Sequence, residues 1–259
     1  MVFRDDVCFW AKSIVFLHCL IKRDLFFGDV YKTLQGQRLK IIYNFVCSKT
    51  SAMNYQKAHK AHPWHGISLG DKVPEEVRAF IEIVPTDTVK YEVDKESGYL
   101  TLDRPQKFSN IVPSLYGFLP RTYCGPKMAE LTNKALVRSD VEGDGDPLDI
   151  CILTEKDVTH GDIIAKARPI GGLRLLDHNQ ADDKIIAVLM SDAVYGAMTD
   201  IEQVPPAIIR RLIHYFSTYK DIPGEHTERM KFISIYGPDV AKDVVLRSME
   251  DYKDYIAKK

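Results

Sequence analysis

The sequence predicts an α+β protein, on three observations. Short alternating or β-branched runs recur between residues 78 and 189, where they read as strands. Two amphipathic helical patterns follow them, and both read as helices that cover a sheet. A chain of 259 residues with 45% hydrophobic content can bury one sizeable core, and no repeat, low-complexity tract or interdomain linker divides it.

The formal net charge of −1 offers no basic excess to neutralise phosphates, which argues against nucleic acid as the main partner. Charge is unevenly spread, with +4 on residues 1–52 and −5 on the remainder. Cys8, Cys19 and Cys47 lie in that first fifth, while Cys124 and Cys151 offer neither metal spacing nor a disulfide framework, as expected in a reducing compartment. The apolar run Val7 to Ile21 is interrupted by Lys12 and His18 and falls short of the about 20 apolar residues a membrane span needs. Arg4-Asp5-Asp6 is not the basic start of a signal peptide, and no small-residue cleavage site follows. Residues 1–52 are therefore expected to be an extension outside the core, with Met53 as an alternative start, and 53–259 to be the functional domain.

From Met53 the chain begins with a polar lead-in whose Trp64, between His62 and His65, is expected to pack on the core. Residues 78–84 and 88–94 read as strands; in the second, Val89, Tyr91 and Val93 share one face, so Lys90 and Glu92 share the other. The turn Lys95-Glu96-Ser97-Gly98 leads into a third strand, 99–104, completing a meander that brings Arg104 near Lys90. Such a pair is either surface charge or an anion clamp, since Arg offers a fork that fits phosphate and Lys a point charge. Tyr116 precedes Gly117, read as a turn, and residues 118–142 show little periodicity, as expected of a lid or mobile excursion. Beyond the acidic turn discussed next, residues 163–176 read as two strands broken at Pro169 and Gly171-Gly172. Residues 177–184 form a second acidic loop, and 184–189 another strand. Pro205-Pro206 opens a helix with Ile209, Leu212, Ile213 and Phe216 on one side, ending near Tyr219-Lys220. A final helix spans about 240–256, with Ala241, Val245, Met249, Tyr252 and Ile256 at helical spacing.

The chemistry concentrates in Gly143-Asp144-Gly145-Asp146-Pro147-Leu148-Asp149, three carboxylates in six residues. Like charges this close raise at least one pKa unless a cation sits among them. Gly145 permits a sharp turn and Pro147 fixes φ, so the side chains converge, and Ile150-Cys151-Ile152-Leu153 reads as a buried strand that anchors them. An oxygen-only donor set suits a hard cation, Mg²⁺ or Mn²⁺, better than zinc. A single Asp-Gly turn is ordinarily a solvated acidic turn; three Asp entering a buried strand favour the metal. A calcium loop framed from Asp140 places Glu142, Asp144 and Gly145 correctly but puts Cys151 where a bidentate Glu is required, between strand-like flanks.

The Asp-Gly-Asp-Pro-hydrophobic-Asp core resembles the signature of the family I soluble inorganic pyrophosphatases. Over residues 80–220 further matches stand in the family's order: Glu82, Lys90, Glu92, Arg104, Tyr116-Gly117, then Asp177, Asp182 and Lys184, then Tyr219-Lys220. The spelling of 104–110 and 181–189 looks like the chlamydial-type branch. The resemblance implies a five-stranded OB-like β-barrel flanked by helices, with the site at the barrel mouth. It implies hydrolysis of pyrophosphate to two phosphates by a two-metal site that activates water and neutralises the leaving phosphate. By that resemblance Asp144, Asp149 and Asp182 ligate Mg²⁺, while Asp177 and Glu92 support ions arriving with substrate. Asp146 accepts the proton of the attacking water. Lys90, Arg104, Tyr116, Tyr219 and Lys220 hold phosphate oxygens. A cytoplasmic homo-oligomer without membrane or nucleic-acid partners is implied as well. The sequence departs from the family pattern at Val112, where bacterial members often carry Tyr, at His178, where a second acid is frequent, and in the longer segment 118–142. A non-enzymatic phosphate- or calcium-binding barrel is the rival; the joint presence of Asp146 and the basic set Lys90, Arg104 and Lys220 argues against it.

Overall fold

A computed structural model describes residues 60–107, 110–220 and 230–259, and the fold below is that of the unit Ala61–Lys259. The expectations for residues 1–52 lie outside the described residues. Strands β1 (Val77–Ile83), β2 (Val89–Val93), β3 (Leu100–Pro105) and β4 (Leu115–Phe118) precede helix α1 (Pro126–Leu136). Strands β5 (Glu142–Gly143), β6 (Asp149–Leu153), β7 (Ile163–Asp177), β8 (Gln180–Ala181) and β9 (Lys184–Leu189) then lead to α2 (Pro206–Thr218), β10 (Met230–Tyr236) and α3 (Pro238–Ala257).

Five strands close on themselves in the order β1-β4-β6-β9-β7, because β7 pairs back onto β1 from Val77↔Ala167 to Ile81↔Ile163. This ring with its helices is the OB-like α+β architecture expected. Only one face of a closed ring lets all its strands meet, and that interior holds Ala79, Ile81, Leu115, Ile150, Ile152, Ala165, Ala167, Ile185 and Ala187. Small side chains on facing strands leave room for α3, whose Ala241, Val244 and Val245 join the same cluster. The alternate residues Cys151, Leu153, Ile186 and Val188 point outward and lie under Ile209, Leu212 and Phe216 of α2. Trp64 is buried as expected, its indole N–H donating to the Thr122 carbonyl at 2.8 Å.

Several sequence-based expectations need correction. The first three strands are not a continuous meander: β2 and β3 form their own two-stranded sheet, while β1 pairs with β4 and β7. Gly117 is not a turn but lies inside β4, where a Cβ would stand 1.9 Å from the Phe80 carbonyl oxygen of β1. The segment 118–142 contains α1, which buries Met128, Ala129 and Thr132. Residues 163–177 form one strand; Pro169 and Gly171 mark a register shift against β9 instead of a break. Strand β10, pairing with β7, was not anticipated. The C-terminal helix and the strand at 184–189 stand as read.

Candidate active site

The acidic turn is strapped to the chain that precedes it. Cys124 N–H donates to the Asp146 carbonyl at 2.8 Å, Gly145 N–H to the Cys124 carbonyl at 3.0 Å, and Leu148 N–H to the Thr122 hydroxyl at 2.9 Å. Gly145 has φ +77°, a left-handed conformation that costs glycine little. Asp144 closes the loop by accepting the Asp146 N–H at 2.9 Å. The next strand, β6, runs parallel to β9 with Asp149 opposite Lys184, so the turn and the second acidic loop meet at one rim of the ring.

Lys184 is the hub of that rim. Its ammonium hydrogen-bonds both Asp149 and Asp182 and lies over the rings of Tyr116 and Phe216, at 5.9 and 5.6 Å. Tyr116 donates its hydroxyl to Asp149 at 2.6 Å. Burial alone would lower the lysine's pKa, but Asp149 and Asp182 outweigh it and hold the group well above its usual range. Burial, then the charge of Asp182, pushes Asp144 up to about 8. Asp149 is likewise raised by burial, against the pull of Lys184. Asp144 thus holds its proton near neutrality, and Asp149 is shifted in the same direction, because burial withholds the water that would stabilise their charge.

Two further groups frame this cluster. At the end of α2, Lys220 bonds Asp177 at 2.5 Å; burial raises that carboxylate, but the lysine wins and its pKa falls. Tyr219 stacks on Tyr215 at 5.3 Å, and burial lifts its phenol. On the other flank, the β2–β3 hairpin pairs Lys90 opposite Arg104. Lys90 bonds Glu92 at 2.6 Å and Asp103 at 2.8 Å, and Arg104 bonds Asp103 at 2.5 Å. Lys90 and Glu92 share a face, as the alternation requires. Beneath the hairpin, Glu82 is pushed up to about 8 by burial and accepts the Val93 N–H at 2.7 Å. Lys95, in the hairpin turn, donates to Asp146.

Each residue singled out from the sequence therefore falls on this rim or its two flanks. Three contributors escaped the sequence reading. Lys184 was matched to the family pattern but given no role, although its spacing two residues after Asp182 puts both on one face of an extended chain. Lys95 has no local signal, since its partner lies 51 residues away. Asp183 passed as one more acid of the loop, yet it is 2% exposed. Val112 is buried beneath α2 instead of reaching the site, and His178 bonds Asp177 at 2.9 Å.

The donors are carboxylates alone, and the upward shifts of Asp144 and Asp149 mark a deficit of positive charge that a hard divalent ion would supply. Among the described residues no three His, Cys, Asp or Glu already stand close enough to hold one ion, and Lys184 lies between Asp149 and Asp182. The donor chemistry fits a hard divalent cation. The lysines and tyrosines around it suit a multiply charged oxyanion.

Comparison with known proteins agrees with this geometry. Residues 79–253 match a family described as inorganic pyrophosphatase. The chain is 50% identical over 195 residues to the inorganic pyrophosphatase of Chlamydia muridarum, covering 74% of this chain and 93% of that protein. It is 34% identical to soluble inorganic pyrophosphatase 2 of Chlamydomonas reinhardtii, over 78% of this chain and 94% of the relative. The crystal structure of the Thermus thermophilus inorganic pyrophosphatase aligns with a TM-score of 0.63 at 28% identity, over 74% of this chain and 99% of that one.

Proposed function

This chain belongs to the inorganic pyrophosphatase family, on its chlamydial branch, and hydrolyses pyrophosphate to two phosphates; on that premise we propose how the acidic rim divides the work. Asp144, Asp149 and Asp182 hold Mg²⁺, and Asp146 accepts the proton of the attacking water. The observation that carries this division is the contrast within one turn. The Asp149 side chain is 23% exposed and pinned by Lys184 and Tyr116, whereas Asp146 is 45% exposed and held by a single surface lysine. A proton acceptor must meet water, and a ligand must be fixed.

Bound Mg²⁺ supplies charge that acidifies water and offsets the oxygens of a leaving phosphate. Lys90, Arg104, Tyr116, Tyr219 and Lys220 bind the phosphate oxygens. Lys90 and Lys220 reach them by exchanging acidic partners for phosphate, an exchange open to them because both ion pairs keep part of their surface exposed. That exchange frees Glu92 and Asp177 for ions that enter with substrate. Burial keeps the Tyr116 and Tyr219 phenols protonated, so both can donate to an oxyanion.

Family membership removes the non-enzymatic barrel from consideration. The catalytic domain is assigned to residues 53–259, with 1–52 outside it, because every matched motif lies well beyond Met53. Among the described residues no helix is long and apolar enough to cross a membrane. The near-zero net charge argues against nucleic acid as a partner; a cytoplasmic homo-oligomer without membrane partners is what the family resemblance implies. The test is phosphate release from pyrophosphate by the purified chain in Mg²⁺ and in excess EDTA. Release that depends on Mg²⁺ is expected, and full turnover in EDTA would defeat the metal reading.

A further inference from the structure

Two buried charges take no part in the chemistry above. Arg174, on β7, and Asp183, at the entry to β9, are 7% and 2% exposed, and the guanidinium Nη2 donates to the Asp183 carboxylate at 3.4 Å. The same guanidinium lies 5.2 Å from the centre of the Tyr236 ring on β10. A buried ion pair is a weak source of stability, and apolar residues of similar volume often replace one without loss. This pair is also imperfectly made: its contact is long at 3.4 Å and Arg174 Nε has no hydrogen-bond partner, while the Tyr236 hydroxyl serves Asp183. Stability therefore does not account for it.

Its position does. In an extended chain successive side chains point to opposite faces, so Asp182 and Lys184 share one face and Asp183 takes the other. Lys184 accordingly bonds Asp182 and lies under Phe216 of α2, while Ile185, in register with Asp183, packs in the ring interior with Tyr236 and α3. The backbone anchors on either side of Arg174 hold the same stretch: Leu173 pairs with Lys184, and the Asp182 N–H donates to the Leu175 carbonyl at 3.1 Å. With the ladder fixing where residues 182–184 lie, the Arg174–Asp183 pair fixes how that stretch is rotated about its own axis.

We propose that the Arg174–Asp183 pair is a positioning device that aims Asp182 and Lys184 into the active site and thereby sets the protein's Mg²⁺ affinity. It rests on the reading of Asp182 as a metal ligand. Partners behind metal ligands typically affect metal affinity by about 10–100-fold when removed.

The experiment is Mg²⁺ titration of the full chain by calorimetry without substrate, with thermal unfolding in EDTA alongside. Asp183→Asn and the double variant Arg174→Met with Asp183→Leu should each weaken Mg²⁺ binding by about 10–100-fold. The double variant leaves no buried charge unpaired, so it should melt near the wild-type temperature and decide the matter even if Asp183→Asn does not fold. A folded double variant that binds Mg²⁺ as the wild type does would overturn the proposal and reduce the pair to scaffold. Asp182→Asn is the control. If it weakens Mg²⁺ binding while the double variant does not, only the positioning role fails; if it leaves binding unchanged, the ligand reading fails and the positioning role falls with it.

Discussion

Replacing Lys184 by Met keeps the stem of the side chain and deletes the charge that Asp149 and Asp182 share. Lys184 is 2% exposed, and without it Asp149 keeps the neutral Tyr116 hydroxyl as a partner but no charge to balance its own. Removing one partner of a buried pair costs about 3–5 kcal/mol. The Asp149 and Asp182 side chains keep 23% and 12% of their surface, so water relieves part of the loss and the lower end, about 3 kcal/mol, applies. A unit of about 200 residues unfolds with an entropy near 0.4 kcal/mol/K, which converts this to a melting temperature lower by about 7 °C. That drop should appear in EDTA. In excess Mg²⁺ the gap should narrow, because the uncompensated carboxylates bind the ion more tightly and a ligand at about 100 times its Kd contributes roughly 2.7 kcal/mol. The assay is thermal unfolding of both proteins under both conditions. A variant that melts with the wild type in EDTA, or a gap that Mg²⁺ leaves untouched, would refute the view of Lys184 as the resident counter-charge of the carboxylate cluster.

Two further outcomes are expected. In the metal-free protein, Asp144 and Glu82 are each pushed up to about 8, so the folded chain holds protons that the unfolded chain releases near pH 4. Their contribution is complete below about pH 4 and is lost as pH rises to about 8. Excess Mg²⁺ should flatten the part due to Asp144 and leave the part due to Glu82, so melting curves across that window that are identical with and without Mg²⁺ would contradict the assignment. A chain starting at Met53 should hydrolyse pyrophosphate at least as fast as the full one, and loss of most activity would show that residues 1–52 serve the enzyme.

The elements legible in the sequence were those whose signals are local. The period of two in 88–94 placed Lys90 and Glu92 on one face, and they bond each other there. Pro205-Pro206 and the apolar face of 209–216 marked α2, which runs Pro206–Thr218. What escaped is non-local. Helix α1 starts at Gly125 without a side-chain cap of its own; Asp251, more than 120 residues on, accepts the N–H groups of Gly125, Lys127 and Met128. Gly117 carried the mark of a turn, yet it is glycine because β1 passes too close for a Cβ. Strand β10 is flanked by the turn signals Pro223-Gly224 and Gly237-Pro238, but its partner β7 lies more than 50 residues back in the chain. In the site the same division holds. The carboxylates were legible because three lie in one turn, whereas Lys95 and Arg174 act on partners that only folding brings near.

The most direct measurement is the Mg²⁺ dependence of pyrophosphate hydrolysis for Asp146→Asn beside Asp149→Asn. The amide at 146 keeps the shape of the turn but cannot take a proton, so kcat should fall by roughly 10²–10⁴ while the Mg²⁺ requirement stays near that of the wild type. At 149 the change removes a charge fixed between Lys184 and Tyr116, so the Mg²⁺ requirement itself should rise. Equal losses with the same Mg²⁺ dependence in the two variants would contradict the division between a proton acceptor and metal ligands within one turn.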